Sequence, residues 1–174
     1  SSPEAPESDR ALVREFELAK REAEGSSEFI RGSDRFRLTA IGDLNTYALF
    51  AEDFLMLSGS LGSAGMIVPT GIATDNSTRN FFDAVSSGER LASLYDFENK
   101  EAIFPGVHRS FKFALLTLGS KVKRTDFLFF ATAVSQLTDE RRHFALTAEE
   151  IGLINPNTRT CPVFRSQVDS ELTK

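Results

Sequence analysis

Residues 91–119 read LASLYDFENKEAIFPGVHRSFKFALLTLG, and two apolar runs stand out in them, 91–97 and 111–118. Both are short and rich in Leu, Phe and Tyr, the signature of strands. Between them Glu98–Ser110 carries no amphipathic pattern of helix length. A parallel neighbour needs a crossover of about a dozen residues, usually helical. The spacing therefore predicts an antiparallel pair joined by a long loop. Upstream, GMIVP (65–69) is a short apolar run closed by Pro69, which reads as a strand buried on both faces. Pro69 and Gly71 open a turn, and Asp75 or Asn76 caps a helix over Ser77–Val85. FLFFATAV (127–134) reads as a fourth strand. Helix and strand in alternation predict an α/β layered domain.

Further toward the N-terminus, Asn45 caps a helix through Leu57, with Tyr47, Phe50, Phe54 and Leu57 as a broad, buried stripe. Residues 9–24 read as a solvated helix capped by Ser8 or Asp9 and broken at Gly25-Ser26-Ser27. The glycines of GSLGSAG lie before a strand, so they are a loop rather than a phosphate cradle. The chain opens on polar, proline-containing residues and closes on SQVDSELTK, the beginning of an amphipathic pattern, so it reads as a piece of something longer.

The chain has 174 residues, net charge −5 and 41% apolar residues, enough for one domain with a real core and against a disordered or collagen-like chain. One cysteine, Cys161, allows no internal disulfide and suggests a reducing, cytoplasmic setting. It reads as a packed thiol. No apolar run has the length of a membrane span, and no metal site is expected from two histidines and one cysteine. Sixteen Phe against two Tyr and no Trp is the compositional oddity, and most of these Phe are expected in the core.

Charge is divided unevenly. Residues 38–99 hold eight acids and two bases, whereas residues 100–124 hold six bases and one acid. A basic loop and strand end on an acidic domain is the footprint of phosphate contacts. His108, Arg109 and Lys112 lie in this stretch and are candidate phosphate contacts.

Four segments in this order, GDLNTYALFAEDFLML, GMIVPTGIATDNSTRNFF, LASLYDFENKEAIFPGVHRSFKFALLTLG and INPNTRTCPVFRS, resemble N6-adenine-specific DNA methyltransferases of restriction–modification and phage-defence systems, the type IIG-like group above all. The resemblance covers the C-terminal half of the methyltransferase domain. It implies a partial Rossmann-like, S-adenosylmethionine-dependent methyltransferase fold. In that fold 65–69, 91–97 and 111–118 are the fifth, sixth and seventh strands, the last two an antiparallel hairpin. It divides the chain into a variable helical insert (1–41), the catalytic half-domain (42–134) and an exit segment toward target recognition (135–174).

The family's Asn/Asp-Pro-Pro-aromatic tetrapeptide and its glycine-rich cofactor motif are absent here. INPNTRT lacks the second proline and the aromatic. The resemblance thus implies that no catalytic residue lies in this chain, that it is inactive alone, and that S-adenosylmethionine is held mainly upstream. It further implies double-stranded DNA as the partner, with His108, Arg109 and Lys112 against its phosphates or the extruded strand, and, in AIFPGVHRS, assigns Phe104 to stack on the flipped adenine. Pro69, Thr70 and Gly71, ending the fifth strand, become a cleft wall. A half-sheet exposes a strand edge, so self-association is expected. Two other readings of the same residues are a non-catalytic DNA-binding or protein-interaction module using the basic 100–124 stretch, and a piece of a small-molecule methyltransferase.

Overall fold

The computed structural model describes residues 7–172; residues 1–6 and 173–174, the polar start SSPEAP included, lie outside the described residues. Helix α1 runs unbroken over Glu7–Gly32. The expected break at Gly25-Ser26-Ser27 does not occur, and Ser8 and Asp9 lie inside the first turn rather than before it. A helix-interior glycine costs only about 1 kcal/mol relative to Ala. Without a proline to remove a ladder bond, the strong helix formers on either side carry the helix through. Its residues Leu12, Val13, Phe16, Leu18 and Phe29 are all exposed.

Helix α2 (Thr46–Leu57) begins after Asn45, but the Asn45 side chain makes no cap bond; its amide donates to Asp43 O at 3.4 Å. The helix also turns the other way from expectation. Ala48, Leu49, Ala51 and Glu52 are buried, while Phe50, Phe54 and Leu57 are exposed. Glu52 explains the orientation. Its carboxylate accepts from Leu38 N at 3.1 Å, Thr39 N at 3.0 Å and Thr39 Oγ1 at 2.6 Å. A buried carboxylate needs such partners, and satisfying them points the Ala48–Ala51 side inward.

Five strands follow: β1 (Ala64–Pro69), β2 (Leu91–Glu98), β3 (Lys112–Leu118), β4 (Thr125–Ala131) and β5 (His143–Leu146). They form one sheet in the order β1-β3-β2-β4-β5. β2 and β3 are antiparallel, as the helix-free 98–110 link requires. β3 is also antiparallel to β1, β4 is parallel to β2, and β5 is antiparallel to β4. Strands β1, β2 and β4 therefore run in the same direction. The short strand β5 was not expected from the sequence.

One face of this sheet is the core. Val68, Leu94, Leu116, Phe127, Phe129 and Phe144 meet Ala48 of α2, Ile72 of α3 (Gly71–Thr74), Phe81, Phe82 and Val85 of α4 (Arg79–Ser87), and Ile151 of α5 (Ala148–Ile154). The rings of Phe127 and Phe144 stack with centroids 5.3 Å apart. Each such side chain fully buried contributes about 1.5–3 kcal/mol. Helix α4 starts after a 3-10 turn, with Thr78 rather than Asp75 or Asn76 at its N-cap position. The last helix, α6 (Gln167–Glu171), forms where SQVDSELTK begins its pattern.

The opposite face holds only a small cluster, in which Ile103 from a loop and Leu137 from a 3-10 turn (Val134–Thr138) pack on Phe97 and Leu128 beside Tyr95, Phe113 and Leu115. No helix of the core cluster reaches it. Ile67 on β1 is consequently 59% exposed and only Val68 of that strand is buried, so 65–69 is an edge strand with an open face rather than a doubly buried one. The phenylalanines also depart from expectation. Six are buried (81, 82, 97, 127, 129, 144) and seven are exposed (16, 29, 50, 54, 104, 111, 130), so most of the sixteen are not core. Among the described residues, no helix is long and apolar enough to cross a membrane.

Candidate functional site at the carboxyl edge of the sheet

β1, β2 and β4 end on one rim of the sheet, where β3 begins at Lys112. Open α/β sheets bind ligands just outside the carboxyl ends of their parallel strands. A cavity of about 280 Å³ lies there. Pro69, Thr70 and Gly71 wall it from the end of β1, Asp96 from β2, and Phe129 and Phe130 from β4. Tyr47 of α2 and Lys112 of β3 line it as well.

Asp96 organises this rim. It is 2% exposed, a buried carboxylate within β2, and both its oxygens are used. Oδ1 accepts from Thr70 Oγ1 at 2.6 Å and Oδ2 accepts from Phe130 N at 3.1 Å. The second bond holds Phe130 in the left-handed region, φ +60°, which a bulky residue rarely adopts. Arg142 Nη2 donates to Phe130 O at 2.9 Å and fixes the other side of the same residue. Gly71 is closely covered: a Cβ there would meet Asp75 Oδ2 at 2.3 Å. Thr78 Oγ1 donates to Gly71 O at 2.6 Å, tying the turn after β1 to the start of α4.

Two groups near the cavity have shifted proton affinities. Burial raises the Tyr47 phenol, and the Asp75 charge adds to it. Burial pushes the Cys161 thiol well above its ordinary value, with Asp96 contributing, so Cys161 is a packed, inert thiol at neutral pH. The Thr70 hydroxyl donates its hydrogen bond to Asp96. Among the described residues, no group of three His, Cys, Asp or Glu side chains is placed to hold a metal ion.

S-adenosylmethionine was implied by the sequence resemblance, and the residues present do not fit it. A nucleoside cofactor of this kind is held at a glycine-rich strand-to-helix turn whose backbone is open to the ligand. Here the turn after β1 is closed at Gly71 by the Asp75 carboxylate and leads into a helix of four residues. The glycines of residues 59–65 enter β1 instead of leaving it.

The sequence-derived candidates divide into two sets. Pro69, Thr70, Gly71 and Lys112 come together at the cavity. Phe104 does not line it. Its ring packs edge-on against Phe113, centroids 4.9 Å apart, and remains 37% exposed. The loop that carries Phe104 is pinned by buried Asn99, whose side chain accepts from Phe104 N at 2.9 Å and donates to Phe104 O at 3.0 Å and Val107 O at 2.8 Å. Phe113 pairs in register with Pro69, so Phe104 lies at the same end of the sheet, against its other face. His108 and Arg109 are exposed in that loop, and the His108 ring is engaged by Ser110 at 2.8 Å.

The basic stretch itself is taken apart by β3. Arg109 and Lys112 fall on the carboxyl rim; Lys121, Lys123 and Arg124 fall past the opposite end of a seven-residue strand, roughly 23 Å away at 3.3 Å per residue. Lys100 pairs with Glu98, Lys123 with Glu89 and Arg124 with Glu150. Asp96 and Phe130 were missed in the sequence. The lone carboxylate of LASLYDF was the available signal; the conformation of Phe130 left none.

Fold and cavity together give an open α/β domain with a candidate site at the carboxyl edge of strands β1, β2 and β4. Among solved structures the chain is similar to a type I restriction–modification methyltransferase subunit from Streptococcus thermophilus, with TM-score 0.53 and 13% identity over 78% of this chain and 35% of that one. The type IIG restriction endonuclease BpuSI aligns with 92% of this chain and 19% of its own at 16% identity, with TM-score 0.49. The chain thus spans about a third of the first protein and a fifth of the second. The likeness to the methyltransferase subunit is one of fold. No protein-family model and no curated protein matches the chain.

Proposed function

We propose that the chain is the C-terminal half of the catalytic domain of a DNA adenine-N6 methyltransferase of a restriction–modification or phage-defence system. It forms the target-base side of the cleft, and the residues that hold S-adenosylmethionine and the adenine amino group precede it. The observation that carries this reading is the fold likeness to a restriction–modification methyltransferase subunit over most of this chain and about a third of that one. The β1-β3-β2 arrangement then corresponds to the fifth, seventh and sixth strands of such a domain. The closed turn at Gly71 agrees with a cofactor held elsewhere. In this reading Phe104 stacks on the flipped adenine, His108, Arg109 and Lys112 contact DNA, and Pro69, Thr70 and Gly71 wall the cleft. A module acting through the whole 100–124 stretch is less well supported, because β3 separates its two ends and three of its six bases are ion-paired.

The test is methyl transfer from S-adenosylmethionine to adenine-containing duplex. The 174-residue chain alone gives none, whereas the longer protein containing it turns over. In that protein Phe104→Ala loses roughly 1–3 kcal/mol of base stacking. Turnover by the chain alone, or an unchanged rate and DNA affinity in the variant, overturns the corresponding part.

The unpaired edge of β1 and the exposed Phe50, Phe54 and Leu57 mark where the rest of such a domain packs. In its absence the isolated chain associates with itself. Light scattering across a concentration series shows the mass rising, and Phe50→Ser with Phe54→Ser reduces the rise. A strictly monomeric profile at high concentration counts against the half-domain.

A further inference from the structure

Phe130 combines three features that the cleft walls do not require. Its backbone sits at φ +60°, which costs an aromatic residue free energy and persists only where neighbours over-determine it. Those neighbours are present: buried Asp96 takes its N–H and Arg142 grips its carbonyl. The outcome is a ring left 36% exposed between two buried neighbours, Phe129 and Ala131. Two cations converge on it from distant segments. Lys112 Nζ, at the start of β3, lies 5.5 Å from the ring centroid, and Arg165 Cζ, just before α6, lies 5.4 Å from it. Neither cation has a carboxylate partner among the described residues, unlike Lys100, Lys123 and Arg124.

We propose that Phe130, Lys112 and Arg165 form a nucleotide-binding platform, in which the two cations take a phosphate and the phenyl ring takes the attached base. A cation over an exposed ring is held weakly. A phosphate offers both cations charge-assisted hydrogen bonds, bidentate from the guanidinium. Turning to it uncovers the ring, and a base stacked there adds apolar contact without sequence preference. Asp96 and Arg142 are the positioning residues that keep the ring turned outward. Phe130 and Arg165 are additional to the cleft residues assigned above. The platform deepens the DNA-cleft reading but does not depend on methyl transfer, because binding by this chain needs no cofactor.

The probe is a fluorescein-labelled ten-nucleotide single-stranded DNA of mixed sequence, titrated with the 174-residue chain and read by fluorescence anisotropy. Lys112→Gln and Arg165→Gln each weaken binding about tenfold and flatten its salt dependence. Phe130→Ala and Phe130→Gly weaken binding of the full oligonucleotide but leave an abasic oligonucleotide of the same length unaffected. Because glycine accepts φ +60° without strain, Phe130→Gly melts at a higher temperature than Phe130→Ala while binding equally poorly. That ordering separates loss of the ring from damage to the fold. Competition by free dAMP as effective as by unlabelled oligonucleotide identifies the ligand as a free nucleotide; competition by the oligonucleotide alone identifies a strand. The proposal is overturned if the variants bind like the parent chain, if no oligonucleotide binds, or if a hexaglutamate peptide competes as well as DNA. If these variants lose DNA while the longer protein proves unable to methylate, the platform stands and the methyltransferase reading falls.

Discussion

The two ends of β3 receive the same kind of residue from the sequence and put it to opposite uses. At the far rim Lys123 pairs with Glu89 at 2.6 Å, and Arg124 reaches Glu150 at 3.7 Å and donates to Ala145 O. There two of the three bases are paired within the fold, and Lys121 alone has no carboxylate partner among the described residues. At the carboxyl rim Arg109 and Lys112 have no carboxylate partner among the described residues, and Lys112 lines a cavity beside buried Asp96 and strained Phe130. The difference teaches that a run of bases is informative only once its partners are known. Charge left unneutralised next to a concave surface is available to a ligand; charge spent on a neighbouring acid is not.

The sharpest way to break this contrast is at Asp96. Asp96→Ala leaves the Thr70 hydroxyl and the Phe130 amide without their buried acceptor. The chain loses about 2–4 kcal/mol, since each unsatisfied buried donor costs on the order of 1–3 kcal/mol. Urea denaturation monitored by circular dichroism reads this loss, and an unchanged midpoint removes Asp96 from its organising role. Tyr95 should give an intermediate effect, visible as a pH dependence. Burial, then its hydrogen bond to Asp126 and that carboxylate's charge, push the phenol up to about 12. The folded state thus holds the proton more tightly than the unfolded chain, whose tyrosines ionise near 10. The resulting stability is fully present below about pH 10 and is lost as pH rises toward 12. Stability measured across that window falls less steeply in Tyr95→Phe, and equal slopes contradict the assignment. The smallest effect belongs to the far rim. Lys123→Ala breaks a pair with side chains 77% and 39% exposed, and an exposed pair is worth about 0.2–1 kcal/mol. A loss as large as that of Asp96→Ala would erase the distinction between the rims.

Much of the fold is legible from local pattern. The strands of 65–69, 91–97 and 111–118 appear within a residue or so of their expected bounds, and the helix-free link before Phe111 correctly gives an antiparallel pair. Pattern fails where burial depends on what covers a face. The periodicity of Tyr47, Phe50, Phe54 and Leu57 is helical, as expected, yet Phe50, Phe54 and Leu57 look outward because Glu52 is bound by the Leu38 and Thr39 amides. GMIVP reads as doubly buried because its composition is apolar, but strand composition does not reveal that one face lacks a helix.

The candidate site divides along the same line. Pro69-Thr70-Gly71 is readable, since a turn after a strand in an open α/β sheet marks the carboxyl edge. Asp96 is visible as a carboxylate in the strand, but no local pattern gives it a role, because its partners lie 26 and 34 residues away in the chain. Sequence alone therefore determined the strands β1, β2 and β3, the helix α2, the antiparallel β2–β3 pair and the acid–base asymmetry, because these follow from short-range periodicity and composition. Tertiary structure alone decided which phenylalanines are buried, which bases are neutralised, and that Phe130 turns outward under two cations. Those outcomes are set by buried carboxylates and guanidiniums that find partners across the sheet, and no local pattern encodes which partner each will meet.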